Sequence, residues 1–270
     1  MLYQIIKSMR PHQWYKNLVL FAGIVFAEKM VVPSLVAKSA AAFAIFCVLS
    51  GAGYIINDIT DRNTDSIHPQ KSKRPIASHN LSVFNAAVTG ITLFFIGNIT
   101  AFFLYYKFGI CTVLYTVLTI LYSVYLKRSV LLDVITVSGG FVIRAVAGAV
   151  VIDVYISPWL VLCAFMLALF LALCKRKQEH SQLYNPPVLD HLVSITATLV
   201  IMSYSLYTVL RANYSMMVTI PLVVYGLFRF LQVSYQTENT SARTHVMSNT
   251  SLMATFIIWV LLVVFLIYWW

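Results

Sequence analysis

Four residues with amide or carboxylate oxygens lie at helical spacing between positions 57 and 65: Asn57, Asp58, Asp61 and Asp65. If a helix continues through this segment, the three aspartates share one face and Asn57 lies beside them. Like charges at this spacing destabilise a helix, so the pattern makes physical sense chiefly when a cation lies against it. Carboxylate and amide oxygens suit Mg2+, which keeps several waters and takes other ligands from phosphates. The pattern predicts a Mg2+ site.

The competing interpretation is a solvent-exposed helix end whose acids are neutralised by Arg62 and Lys71. The chain has only 9 Asp and Glu residues in 270, so three of them on one stripe favour the metal site.

Basic residues gather near the acids. Lys73 and Arg74 follow the acidic pattern, Lys127 follows a later apolar run, and Lys175 and Arg176 follow another. Membrane orientation explains any one cluster, but it does not explain why the clusters coincide with the acids. Mg2+ together with Lys and Arg is what a departing diphosphate requires, because negative charge builds on its bridging oxygen.

Composition identifies the elements that must position these side chains. Hydrophobic residues make up 60% of the chain and charged residues 10%, against about 45–50% and about 25% in soluble domains. Apolar runs predict an all-α polytopic membrane protein with nine transmembrane helices. They lie near 17–33, 35–56, 82–104, 109–126, 130–152, 157–174, 191–211, 214–233 and 250–270. The first is the weakest, since Glu28 and Lys29 interrupt it.

The charge distribution predicts the orientation. Most Lys and Arg residues fall on one side when loops alternate, which places the N-terminus and the polar site in the cytoplasm and the C-terminus outside. We credit the net charge of +10 to orientation and phosphate ligands, and predict no nucleic-acid partner. Without repeats or linkers, residues 1–270 are expected to form a single integral membrane domain, with no signal for an oligomeric state.

Arg144 lies within the fifth predicted span. A guanidinium at mid-span costs about 2.5–3.5 kcal/mol on insertion scales, so it should face the bundle interior and have a partner. Two interpretations stay open: a buried structural pair, with Asp153 or the backbone, and a lipid phosphate drawn into the bundle.

Several motifs resemble a known family. The pattern N-D-x-x-D-x-x-x-D at 57–65, with Tyr122 and 125–128, resembles the UbiA superfamily of intramembrane prenyltransferases, which are nine-helix bundles. The stretches 10–17, 68–78, 141–148 and 169–179 resemble one branch, the decaprenyl-phosphate phosphoribosyltransferases. One feature departs from the superfamily: where diphosphate-consuming prenyltransferases carry a second aspartate-rich motif, this chain has Lys175-Arg176-Lys177-Gln178-Glu179. That basic replacement suits a donor with an extra phosphate.

The resemblance implies transfer of 5-phosphoribose from phosphoribosyl diphosphate to a polyprenyl phosphate in a membrane bilayer, by analogy the bacterial inner membrane. By analogy Asn57, Asp58, Asp61 and Asp65 hold Mg2+ on the diphosphate, with the three aspartates as catalytic residues. The implied phosphate-binding residues are Lys16, Lys73, Arg74, Lys127, Arg144, Lys175 and Arg176, with the acceptor phosphate assigned to Arg144. Arg10 is a further candidate. Two other functions stay open: prenyl transfer from an isoprenyl diphosphate, and transport of a lipid or anion.

Overall fold

The structure is a computed structural model that describes residues 1–179, 183–210, 214–238 and 249–269. Every regular element in these ranges is a helix, which confirms the predicted all-α class. Eight of the described helices are long and apolar enough to cross a membrane.

The chain divides into two compact units, Met1–Ile156 and Ser157–Trp270. A single domain over 1–270 stays a prediction. The first unit contains α1 (Leu2–Met9), a 3-10 helix (Pro11–Phe21), α2 (Ala22–Phe26), α3 (Pro33–Thr60), α4 (Arg62–Ser66), α5 (Val83–Leu104), α6 (Tyr106–Val124) and α7 (Leu132–Val150). Two short 3-10 turns, Lys71–Lys73 and Leu126–Arg128, lie in its loops.

The second unit contains α8 (Pro158–Gln178), α9 (Pro186–Leu210), a 3-10 helix (Tyr214–Thr219), α10 (Ile220–Glu238) and α11 (Thr250–Tyr268). Pro158 and Pro186 occupy the first helical positions, where a missing N–H costs nothing and the fixed φ suits the helix. Asn249 caps α11, because its side chain accepts hydrogen bonds from the backbone N–H groups of Ser251 and Leu252. The predicted ends at 211 and 270 lie outside the described residues.

The predicted count of nine spans is not confirmed, because segment 17–33 is not one continuous α-helix. It belongs to the 3-10 helix and α2, followed by a turn in which Glu28 has a positive φ of 59°. At 2.0 and 1.5 Å per residue, the two helical pieces together measure about 30 Å, close to the hydrocarbon thickness of a bilayer. The 3-10 helix, from its N-cap Arg10 to Phe21, runs antiparallel to α3, since Arg10 contacts Asp58 and Phe21 contacts Phe43.

Glycines allow this segment to lie directly on α7. A Cβ on Gly148 would come within 2.0 Å of the Leu20 carbonyl oxygen, and one on Gly23 within 2.7 Å of the Ala149 nitrogen. Leu20, fully buried, joins Phe46, Leu49 and other apolar side chains in the core of the first unit. Backbones this close require residues without a side chain at the contact.

Candidate active site

The acidic motif lies where α3 passes into α4. Asp61 joins the two helices, and helical hydrogen bonds continue across it: the Asp61 N–H donates to the Asn57 carbonyl at 3.0 Å and the Asp65 N–H donates to the Asp61 carbonyl at 2.8 Å. Asp58 and Asp65 are buried, with exposures of 2% and 3%, whereas Asp61 is partly exposed. The expected helical stripe is therefore present, with two of its carboxylates withdrawn from solvent.

Arg74 connects the two buried carboxylates. Its Nη1 atom lies 2.5 Å from Asp65 Oδ2 and 3.3 Å from Asp58 Oδ1. One cationic nitrogen therefore occupies the position between two acids seven residues apart. The buried pair needs a positive charge at this position, and the guanidinium supplies it.

The loop that carries Arg74 is held at both ends. His68 Nδ1 accepts hydrogen bonds from the backbone N–H groups of Gln70 and Lys71. After Arg74, the buried side chains of Ile76 and Leu81 pack with Ile55 of α3. Local capping and apolar burial thus place Arg74 beside the acids. Lys73 is exposed one residue earlier.

Arg10 supplies a second arginine to Asp58. Its Nη2 donates to Asp58 Oδ1, and its guanidinium lies 5.0 Å from the centre of the Tyr54 ring. Arg10 has a positive φ of 52° and separates α1 from the 3-10 helix. The preceding Met9 packs where a Cβ on Gly51 would lie, at 2.8 Å, so the end of α1 is held against α3.

Asp61 has a different set of partners. Lys127 Nζ lies 2.5 Å from Asp61 Oδ1 and donates to Thr60 Oγ1 at 2.8 Å. Asn57 Nδ2 donates to the other Asp61 oxygen at 3.0 Å. The motif is thus divided into a buried pair, Asp58 and Asp65, and a more exposed pair, Asn57 and Asp61.

Arg144 is buried, with 7% exposure, and its partners include the backbone, one of the two that the sequence suggested. Nε donates to Asn17 Oδ1 at 2.8 Å, Nη2 to the Tyr115 hydroxyl at 2.7 Å, and Nη1 to the Gly140 carbonyl at 3.0 Å. The guanidinium also lies 4.6 Å from the centre of the Tyr115 ring and 5.1 Å from that of Phe141.

The suggested pairing of Arg144 with Asp153 is wrong. Asp153 instead accepts a hydrogen bond from the Tyr105 hydroxyl at 3.0 Å and lies 3.9 Å from Lys107 Nζ. Within the described residues, no carboxylate lies within salt-bridge distance of Arg144. Among the described residues, the cage around its positive charge is therefore polar but uncharged.

Three predicted phosphate-binding residues remain: Lys16, Lys175 and Arg176. Lys16 is half-buried in the 3-10 helix, next to Asn17. Lys175 and Arg176 end α8 in the second unit, where both contact Glu179, at 3.6 and 2.9 Å. The Lys175–Glu179 pair is the i,i+4 salt bridge expected for an ordinary helix end.

The donor set suits Mg2+. No three His, Cys, Asp or Glu side chains in the described part of the chain form a group that would hold a metal ion. Mg2+ does not require such a cage, because it binds through one or two carboxylates together with water and substrate phosphates. Asp58 and Asp65 already converge on a single cationic nitrogen, so the buried pair fits a small cation.

Sequence reasoning missed Tyr54, Asn17 and Tyr115 as parts of these clusters. A tyrosine or asparagine in an apolar run carries no sequence signal for an arginine partner. Arg10 stood within a recognisable motif, but its contact with Asp58, 48 residues away, depends on tertiary packing.

The fold and the site define an integral membrane protein in which acidic and basic side chains meet at one end of a membrane-spanning helix. The profile of the UbiA prenyltransferase family matches residues 17–253. The chain therefore belongs to the UbiA prenyltransferase family and is a transferase of the membrane.

Two curated relatives carry the same name. The chain is similar to the decaprenyl-phosphate phosphoribosyltransferase of Mycolicibacterium smegmatis, with 32% identity over 84% of this chain and 70% of that protein. It is similar to the enzyme of that name from Corynebacterium glutamicum, with 31% identity over 75% of this chain and 66% of that protein. The aligned regions thus span about two thirds of these relatives.

A solved structure shares the fold. A UbiA homolog from Archaeoglobus fulgidus bound to GPP and Mg2+ has a TM-score of 0.74 and 17% identity, and the match covers 98% of this chain and 99% of that one. This likeness confirms the UbiA-type helical bundle.

Proposed function

We propose that this protein transfers 5-phosphoribose from phosphoribosyl diphosphate to a polyprenyl phosphate and releases diphosphate. The observation that carries the proposal is the convergence of Arg10 and Arg74 on the buried Asp58–Asp65 pair. A site with both carboxylates and guanidinium groups suits a diphosphate that arrives with a divalent ion. Relatives named for this reaction support the choice of substrates.

In the proposed reaction, Asn57, Asp58, Asp61 and Asp65 hold Mg2+, which when bound neutralises charge on the departing diphosphate. Arg74, Lys73 and Lys127 bind the diphosphate oxygens. At an effective dielectric constant near 20, a unit-charge pair about 4 Å apart attracts by about 4 kcal/mol before desolvation. Several such contacts stabilise the leaving group, and the anionic acceptor oxygen needs no strong general base.

Arg144 is proposed to bind the acceptor phosphate. Its side chain uses three of the five guanidinium N–H groups in the hydrogen bonds above, so two donors, and a charge that no carboxylate of the described residues pairs with, are left for an anion. Asn17, its Nε partner, also contacts Ser50 of α3, about 12 Å along the helix axis from Asp58.

The remaining proposals concern other phosphate-binding residues and the orientation of the protein in the membrane. We propose that Lys16, Lys175 and Arg176 bind further phosphate oxygens. We also propose that the N-terminus and the acidic site face the cytoplasm of a bacterial inner membrane and that the C-terminus faces outward, because most basic residues gather on one side.

The substrates are tested directly with purified protein. Labelled phosphoribosyl diphosphate, a polyprenyl phosphate and Mg2+ should yield a lipid-linked ribose phosphate. Turnover of an isoprenyl diphosphate without that product would instead identify a prenyltransferase. Lipid or anion flux in proteoliposomes without any covalent product would identify a transporter.

A further inference from the structure

Every carboxylate of the acidic motif already has a basic partner from another part of the chain. Arg10 comes from the N-terminal segment, Arg74 from the loop after α4, and Lys127 from the loop after α6. Asp58 receives two of these bases, although its side chain is only 2% exposed. The acids are thus neutralised from inside the protein.

Two of these bases, Arg74 and Lys127, are the ones assigned above to the diphosphate. The Arg74 guanidinium bridges Asp58 Oδ1 and Asp65 Oδ2, so it occupies the two oxygens that face each other across this site. Arg74 Nη1 lies within 3.3 Å of Asp58 Oδ1 and Asp65 Oδ2, so an ion that binds these two oxygens must displace it. Displacement without a new anion would leave the guanidinium of a partly buried side chain without a partner, which is costly.

We infer that Arg74, assisted by Arg10, is an exchangeable counter-ion that couples binding of the metal to binding of the diphosphate. This inference rests on the proposed function, because it takes the same acids as metal ligands. When the two ligands arrive together, the arginines move from carboxylate to phosphate oxygens and the carboxylates become free for the ion. All charges stay paired in both states.

The expected consequence is reciprocal. Metal alone competes with Arg74 and binds weakly, and diphosphate alone meets arginines already engaged by acids. A bound diphosphate draws the arginines away from the carboxylates, and a bound metal ion takes the carboxylates away from the arginines. The metal ion and the diphosphate therefore raise each other's affinity by the same factor, which is about 5- to 150-fold in typical coupled systems. Arginine is suited to both states, because its planar fork binds carboxylate and phosphate with the same geometry.

The test measures binding rather than turnover. Mn2+ alone is titrated into detergent-purified protein and free Mn2+ is followed by electron paramagnetic resonance. Arg74→Gln removes the competitor, so Mn2+ should bind at least about fivefold more tightly than to the wild type. Separately, equilibrium dialysis of labelled inorganic diphosphate should show that Mg2+ raises its affinity about tenfold or more in the wild type and much less in Arg74→Gln.

Lys71→Gln is the matched control. Lys71 is an exposed base of the same loop, and it makes no salt bridge to the acids. Its removal should leave both affinities within about twofold. Arg10→Gln gives a second variant if Arg74→Gln does not fold, since it removes one of the two bases on Asp58; it should tighten Mn2+ binding in the same direction.

The outcomes separate the inference from the proposed function. If the wild type binds Mn2+ and shows coupling but neither arginine variant tightens Mn2+ binding, counter-ion exchange is wrong and the proposed reaction stands. If the wild type binds no Mn2+ and Mg2+ has no effect on diphosphate binding, both are wrong.

Discussion

Changing Asn17 to aspartate would test the proposed acceptor site by placing a carboxylate on the buried cation. Asn17 Oδ1 accepts a hydrogen bond from Arg144 Nε at 2.8 Å, and aspartate has nearly the same shape. The variant keeps the hydrogen bond and adds one negative charge. Ser50 accepts from Asn17 Nδ2 and donates to the Cys47 carbonyl, both at 3.2 Å, and in the variant it would redirect its hydroxyl proton to the carboxylate.

The size of the effect follows from the geometry of the guanidinium. An acceptor phosphate on its far edge would lie about 8 Å from the new carboxylate, across two hydrogen bonds and the width of the group. At an effective dielectric constant of about 20, two unit charges at that distance repel by about 2 kcal/mol. At about 1.4 kcal/mol per tenfold, the KM for polyprenyl phosphate should rise roughly thirtyfold.

The assay varies the two substrates independently. Initial rates of lipid-linked product are measured against polyprenyl phosphate at saturating donor, and then against donor at saturating acceptor. The donor KM is the internal comparison and should rise less, by about tenfold at most, because the Asn17 partner Ser50 lies about 12 Å along α3 from Asp58, where the same repulsion falls to about 1.4 kcal/mol. Thermal unfolding should show no loss of stability, since a buried charge gains a counter-ion.

Asn17→Ala separates charge from hydrogen bonding. It leaves Arg144 Nε without its acceptor and should lower stability by about 1–3 kcal/mol, with only a small change in acceptor KM. An unchanged acceptor KM in Asn17→Asp, in a protein that folds and turns over, would refute the acceptor role and leave Arg144 as a residue that ties the 3-10 helix to α6 and α7.

Three further predictions concern the acids, the ion and the close backbone contact. Asp61→Asn should abolish transfer while the protein still folds with only a modest loss of stability, because Asp61 is partly exposed and Lys127 keeps Thr60 Oγ1 as an acceptor; unchanged product formation would contradict the metal assignment. Removal of divalent ions by a chelator should stop transfer, and added Mg2+ should restore it; full activity after chelation would exclude a required ion. Gly148→Ala should destabilise the protein by about 1–3 kcal/mol, since the new Cβ would lie 2.0 Å from the Leu20 carbonyl oxygen. Gly226→Ala is the control in thermal unfolding, because its Cβ would meet only ordinary contact at 3.6 Å; equal stability of the two variants would contradict the proposed contact.

Sequence patterns predicted most of the fold because hydropathy is a local property. A run of about 20 apolar residues is long enough to cross a bilayer wherever the rest of the chain lies, and eight such helices are found. The first span escaped this rule. Part of it is a 3-10 helix, and its backbone packs closely on α7 at Gly23 and Gly148. A hydropathy window covers only consecutive residues, so it contains no information about this contact.

The sequence by itself determined that the chain crosses a membrane, that its acids share a helical stripe, and that Arg144 must have partners inside the bundle. Composition, spacing and the cost of a charge in lipid are sufficient for each of these. Only the tertiary structure decided which side chains meet. Lys127 reaches Asp61 across 66 residues, and Arg144 reaches Asn17 across 127 rather than the nearby Asp153. Such pairs depend on how helices pack in three dimensions, and spacing along the chain contains no record of that packing.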